Sequence, residues 1–278
     1  MRIEDLRPGW RTEVARLRFG STIEERDDCL VVLTPGNPTF RWGNCLILRE
    51  APADADLPRW IARFEVEITR RQPLSSHLAF GINPPWLGQR LPSWVAAGLP
   101  MHVNGVLRLG PGDLRAPKPA RAVDFLVRPI DWARELEGII ELECADTRGI
   151  PLHRYREFLR RSFDCYAEMK GAGLAEWFGV WCGGELVADC GLIRPHAQAG
   201  ATCRFQRVST HPQWRRQGLA SALVHAVSAY AFDVWQAADI IMLADIEAPA
   251  IDLYKSLGYQ EFEREWSFER AAPQDVGT

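Results

Sequence analysis

Between Val208 and Ala220 the chain runs Val-Ser-Thr-His-Pro-Gln-Trp-Arg-Arg-Gln-Gly-Leu-Ala, so a β-type stretch breaks into a basic turn and the turn opens straight into an amphipathic helix. This junction constrains the fold more than any other feature. The first N–H groups of such a helix have no intrahelical acceptor, and the helix dipole adds partial positive charge at the same place. Arg215 and Arg216 contribute fixed charge, Gly218 permits close backbone approach, and with Gln217, Leu219 and Ala220 they form a cradle suited to a diphosphate. The helix carries Leu219, Leu223, Ala226, Val227, Tyr230 and Val234 on one face, as a helix docked on a sheet requires.

The rest of the C-terminal half follows by periodicity and turn chemistry. A strand is expected from Ala122 to Val127, a helix from Ile130 to Ala145, and a second helix from Leu152 to Lys170, stopped by Gly171 and Gly173. Trp177–Cys182 and Glu185–Ile193 should pair as a hairpin around Gly183-Gly184. Thr202–Ser209 leads into the cradle. A strand at Asp239–Asp245, a short helix at 248–257 and a last strand from Gln260 to Glu269 complete the half.

Arg215-x-x-Gly218-x-Ala220 resembles the acyl-CoA-binding turn of the GNAT superfamily of N-acyltransferases. Ala248-Pro-Ala-Ile-Asp-Leu-Tyr254-Lys-Ser-Leu-Gly258-Tyr259 resembles that family's second signature, in the right order and at a suitable distance. The resemblance implies an α/β (α+β) fold with a mixed, mostly antiparallel sheet flanked by helices. It implies an acetyl-CoA-dependent N-acetyltransferase, with acyl-CoA as co-substrate and no metal. Val208 and Thr210 would hold the pantetheine arm through their backbone, and a backbone N–H near Val208 would polarise the thioester carbonyl. Tyr254 stands where the family carries the tyrosine that protonates the departing sulfur; its competing role is core packing. Where some relatives place a glutamate on the strand, Arg204 stands here. Asp245, Glu247 and a water held by Gln206 and Ser209 are the candidates for the base, although Glu247 is better explained as an exposed helix cap. His211 and His196 are expected to be turn and solvated residues.

Strand, helix, strand, helix and strand recur in order before residue 109. Cys29–Thr34 and Phe40–Arg49 flank the turn Pro35-Gly-Asn-Pro38, Leu57–Arg70 is an amphipathic helix, and His77–Ile82, 92–98 and Met101–Leu109 follow. The loop before that helix, Glu50–Asp56, is acidic and has no glycine, so it would repel a diphosphate. The expected organisation is a degenerate GNAT-like domain at 1–109, a Gly/Pro-rich linker at 110–121 and a catalytic, acyl-CoA-binding domain at 122–278. Trp42, Trp60, Trp86 and Trp94 are either packing residues or the wall of an acceptor pocket.

The 278 residues are 47% hydrophobic and carry a formal net charge of -3, enough apolar content for two cores and no reason to expect nucleic acid as a partner. Seven cysteines form no CxxC pair and no zinc-spaced cluster, which points to reduced thiols. The first residues lack a signal-peptide core, and no run spans a bilayer, so a cytoplasmic monomer or homodimer acting on a small-molecule or peptide amine is expected, with no membrane partner. The alternatives are a non-catalytic acyl-CoA-binding or regulatory protein and, less in keeping with an intact cradle, a transferase using an aminoacyl-tRNA donor.

Overall fold

A computed structural model describes residues 1–121, 124–147 and 149–272. The chain divides into two compact units, Met1–Gly105 with Gly149–Pro151 and Glu263–Thr278, and Val106–Arg148 with Leu152–Phe262. This departs from boundaries at 109 and 122 in two ways. The stretch expected to be a linker belongs to the second unit, and the last strand, expected to close the C-terminal half, passes mostly to the first.

The first unit begins with a helix that periodicity did not reveal, α1 (Pro8–Leu17), because Pro8-Gly9 and the arginines around it look like a breaker; Pro8 in fact occupies the first helical turn, where its missing N–H costs nothing. The strands β1 (Thr22–Glu25), β2 (Cys29–Leu33) and β3 (Cys45–Leu48) run antiparallel in sequence, with Thr22 opposite Leu33 and Cys29 opposite Leu48. The expected β2–β3 hairpin is present. Its second strand is shorter than expected, because Arg41–Gly43 forms a 3-10 turn. Helix α2 (Leu57–Phe64) continues as a π-helical turn over Glu65–Thr69. Next come β4 (Leu78–Ile82), parallel to β3, and the short α3 (Pro92–Ala96).

The sheet of this unit is completed from the far end of the chain. In β11 (Gln260–Arg270), Trp266 to Arg270 pair antiparallel with Ile82 to Leu78. Phe268 enters the core beside Trp94 at a ring separation of 4.9 Å, with Phe64, Phe80 and Trp60 nearby in the same cluster. Trp60 and Trp94 are buried there as packing residues, and Trp42 and Trp86 pack against the unit's two cores.

Strand β5 (Met101–Leu109) begins in the first unit and ends in the second, where Leu107 and Leu109 enter the core. Strand β6 (Phe125–Pro129), helices α4 (Trp132–Cys144) and α5 (Leu152–Gly171), and strands β7 (Ala175–Cys182), β8 (Glu185–Ile193) and β9 (Thr202–Thr210) follow. Residues 122–123 of the expected first strand lie outside the described residues. After the turn come α6 (Leu219–Asp233), β10 (Asp239–Asp245) and α7 (Ala250–Ser256). Strands β6 to β9 pair antiparallel in turn, and β10 joins β9 in parallel. Gly183 and Gly184 have φ of 58° and 89°, the doubly left-handed turn that a tight hairpin demands. Each unit is thus a mostly antiparallel sheet with helices packed on it.

Phe268→Ala should cost the first unit about 3–5 kcal/mol, because it empties a fully enclosed site among rigid aromatic rings. Denaturant unfolding followed by tryptophan fluorescence will show this as a lowered first transition; an unchanged curve would mean that β11 is dispensable to the first unit.

Candidate active site

Strands β9 and β10 start as a ladder and then separate. The pairing covers Thr202↔Asp239 to Arg204↔Ile241, although the strands continue to 210 and 245. The cause lies on the other edge of β9. There the β8 register runs from Asp189↔Ser209 to Gly191↔Gln206, so Arg207 and Val208 together face Cys190 in a β-bulge. Arg207 takes a φ of 53°, rare for a residue with a Cβ. The bulge bends β9 away from β10 and leaves its backbone beyond Arg204 without a strand partner on that side.

A cavity of about 240 Å³ occupies the second unit beside this segment. Val208, Ser209, Thr210, Arg215, Ala220 and Tyr254 line it, together with Glu143 from α4. Five of the residues picked out by the cradle and tyrosine motifs are therefore brought to one place. Tyr254 is 6% exposed, and its hydroxyl has no hydrogen-bond partner among the described residues. Its neighbour Tyr259, by contrast, shares a 2.8 Å hydrogen bond with Ser228. Burial pushes the Tyr254 phenol up to about 12, so it remains protonated through the neutral range. The hydroxyl of Thr210, another lining residue, is buried without a partner. Unsatisfied polar groups facing a cavity are what a binding site for a polar ligand leaves behind.

At the cradle, Arg216 (φ 62°) and Gly218 (φ 87°) both adopt the left-handed conformation and turn the chain sharply into α6. Gly218 is the N-cap and has no side chain to satisfy the first N–H groups of that helix. Arg215 donates from Nε to the Thr210 carbonyl (3.1 Å) and pairs through Nη2 with Asp146 (2.7 Å). Gln217 bonds back to the Gln213 carbonyl, and Leu219 is buried in the core. The room that a Cβ on Gly218 would need is taken by Ala120, whose Cα lies 3.0 Å from that position. The glycine serves the fold directly as well as any ligand.

The two acids proposed from sequence lie elsewhere. Asp245 accepts from the Glu247 amide at 2.8 Å in an exposed turn after β10, and neither residue lines the cavity. The expected capping role of Glu247 is not seen, since α7 has Pro249 as its N-cap and no side-chain cap, whereas His211 caps a 3-10 turn by accepting from the Gln213 amide.

Two carboxylates line the cavity, Asp146, which is paired with Arg215, and Glu143, and sequence reasoning found neither. Glu143 is the one beside Ser209. It accepts from Arg207 Nε at 3.0 Å and Nη2 at 2.6 Å, and from Ser209 Oγ at 2.9 Å. Asp189, buried on β8, accepts from Trp177 Nε1 at 2.7 Å. Burial, reinforced by the Glu143 charge, pushes the Asp189 carboxyl well above its ordinary range. Desolvation opposes the charge on Arg207, yet the Glu143 carboxylate keeps its guanidinium firmly protonated. The only sequence signal for Glu143 was an acidic residue on the otherwise apolar face of a helix that also buries Ile139, Ile140 and Leu142.

These features match a known domain. A family model described as an acetyltransferase (GNAT) domain matches residues 174–261, from the start of β7 to the start of β11. Residues 174–261 of the second unit are thus a GNAT acetyltransferase domain. Solved structures with the same fold over nearly the whole chain include a functionally unknown conserved protein from Staphylococcus epidermidis ATCC 12228, with a TM-score of 0.71, 16% identity, and coverage of 91% of this chain and 95% of that one. A GCN5-related N-acetyltransferase from Kribbella flavida gives a TM-score of 0.62 and 17% identity, over 93% of this chain and 94% of that one. A tandem GNAT protein from the clavulanic acid biosynthesis pathway gives 0.59 and 15%, over 93% and 86%. At these identities the likeness is one of fold. No curated protein matches the sequence at a significant level.

Gly218→Val should lower the melting temperature and weaken acetyl-CoA binding together, because a β-branched residue is strained at φ 87° and collides with Ala120. Thermal melts and calorimetric titration check this; full stability with unchanged affinity would refute it.

Proposed function

We propose that the protein is an acetyl-CoA-dependent N-acetyltransferase in which an amine of a small molecule or peptide attacks the acyl donor directly in a ternary complex. The observation that carries this reading is the unpartnered Tyr254 hydroxyl in a cavity that extends to the cradle residues Arg215 and Ala220. Bound acyl-CoA supplies an activated thioester. The cradle, Arg215 to Ala220, binds its diphosphate, and the freed backbone of β9 at Val208 and Thr210 holds its pantetheine arm. A backbone N–H at the bulge stabilises charge developing on the carbonyl oxygen.

Tyr254 donates its proton to the departing sulfur. A phenol raised to about 12 is a weak acid against an ordinary thiol near 8.5, and the transfer would run uphill. A thiolate forming beside that phenol in the same poorly solvated space is destabilised by the same loss of water, which narrows the gap. On the other side, an alkylamine with a pKa near about 10 is mostly protonated at neutral pH and must lose a proton to react. Ser209 Oγ passes that proton to Glu143, the carboxylate to which it already donates. Asp245 and Glu247, which lie outside the cavity lining, take no part in this scheme.

A cytoplasmic location belongs to the same proposal. It is supported by the absence of a helix long and apolar enough to cross a membrane among the described residues, and by cysteines that are all free.

Titrating acetyl-CoA and then following thiol release with a panel of amines tests the function: binding without amine-dependent release would leave a binding protein and not an enzyme. Tyr254→Phe should lower kcat by about 10²–10⁴-fold with unchanged melting and donor affinity, since only the proton donor is removed. A kcat within a few-fold of the parent would make Tyr254 a packing residue. Ser209→Ala should lower kcat by about 10²–10⁴-fold while sparing donor affinity and melting; a kcat within a few-fold of the parent would exclude the relay.

A further inference from the structure

Residues 110–121 were expected to be a free linker, and they are instead a strap fastened to the second unit at both ends. The Asp113 carbonyl lies 2.0 Å from where a Gly258 Cβ would stand, and the Arg115 amide donates to the Leu257 carbonyl at 2.9 Å. At the other end Ala120 packs on Gly218, and the Arg121 amide donates to the Gln217 carbonyl at 3.2 Å. The strap therefore runs from the end of α7 to the turn that begins α6.

Its burial repeats every three residues: Leu114, Pro117 and Ala120 are half-buried, and the residues between them are exposed. This is the period of a polyproline II helix, which Pro117 and Pro119 enforce on themselves and on the residues before them. The same period places Arg115, Lys118 and Arg121 on one line along an exposed flank, spaced by about 9 Å. None of the three forms an ion pair among the described residues, and neither does Arg216 in the adjoining turn, whereas Arg215 beside it is paired with Asp146. Most other arginines of the first and second units, such as Arg71 and Arg128, are bound to carboxylates. Unneutralised cations on a rigid strap that ends against a helix N-terminus repel one another and gain only when an anion arrives.

We propose that the strap is a phosphate clamp, in which Arg115, Lys118 and Arg121, together with Arg216, engage the phosphate groups of the nucleotide end of the acyl donor. The inference rests on the acyl-CoA reading and adds a binding element outside the matched domain at 174–261. It makes the protein selective for the phosphorylated donor over a phosphate-free pantetheine thioester. Because the strap is already extended and anchored, little chain entropy is lost when the anion binds.

The test uses the full-length protein and the variant R115Q/K118Q/R121Q, whose changes are confined to exposed side chains. CoA, inorganic pyrophosphate and phosphate-free S-acetylpantetheine are titrated by calorimetry into both. The clamp predicts that the variant binds CoA and pyrophosphate about tenfold more weakly or worse, with S-acetylpantetheine unaffected and a flatter dependence on salt. Equal CoA affinity in the two proteins would overturn it. So would tighter CoA binding by the variant, which would make the strap an obstruction, or an equal loss for S-acetylpantetheine, which would indicate structural damage. Strap-dependent pyrophosphate binding by a parent protein that takes no CoA would sustain the clamp and refute the acyl-CoA reading. A parent protein that binds neither CoA nor pyrophosphate refutes both.

Discussion

The site depends on a ladder that stops early. Backbone N–H and C=O groups must find partners, and a strand that leaves its neighbour within a sheet creates a demand that another molecule can meet. In this protein the departure is fixed by one extra residue at Arg207–Val208, held in place by the ion pair of Arg207 with Glu143. The left-handed backbone at Arg207 is strained, and the buried guanidinium–carboxylate contact offsets that strain. Remove the bulge and β9 would pair with β10 along its length, closing the space that Tyr254 and Thr210 face.

The buried charges form a small system with its own logic. Glu143, Arg207 and Asp189 lie close enough that three ionised groups would leave one negative charge uncompensated in a poorly solvated region. Burial and the Glu143 charge both push Asp189 toward its neutral form, which eases the conflict, while Arg207 pairs with Glu143. Buried pairs of this kind add little net stability compared with apolar packing. Their value here is positional: they connect α4 to the bulge of β9, so a carboxylate stands at a fixed height beside Ser209.

Much of the second unit was legible from sequence because its signals are local. Gly183-Gly184 specified a hairpin, the run from 239 to 245 specified a strand, and the spacing after Gly218 specified α6. What could not be read involves residues far apart in the chain. Glu143 meets Arg207 across 64 positions, and no periodicity in either segment announces the other. Asp245 and Glu247 looked promising because they are acids close in sequence to the tyrosine motif, but the turn after β10 directs them to its own backbone. The strap was missed for a related reason: proline and glycine reveal that a segment is neither helix nor ladder, and not that it is anchored. In the first unit α1 was hidden by a proline that starts a helix instead of ending one.

The assignment of the last strand has a consequence in time. On the ribosome, β4 emerges long before its partner in β11, and everything from Val106 to Phe262 is made in between. At about 5–20 residues per second, the sheet edge at Leu78–Ile82 waits for tens of seconds with its hydrogen-bonding groups unpaired. Such an edge is an invitation to pair with the wrong strand. The second unit has most of its own strands available before that wait ends, so the half that carries the candidate chemistry can mature first, and the half made first is the last to be finished.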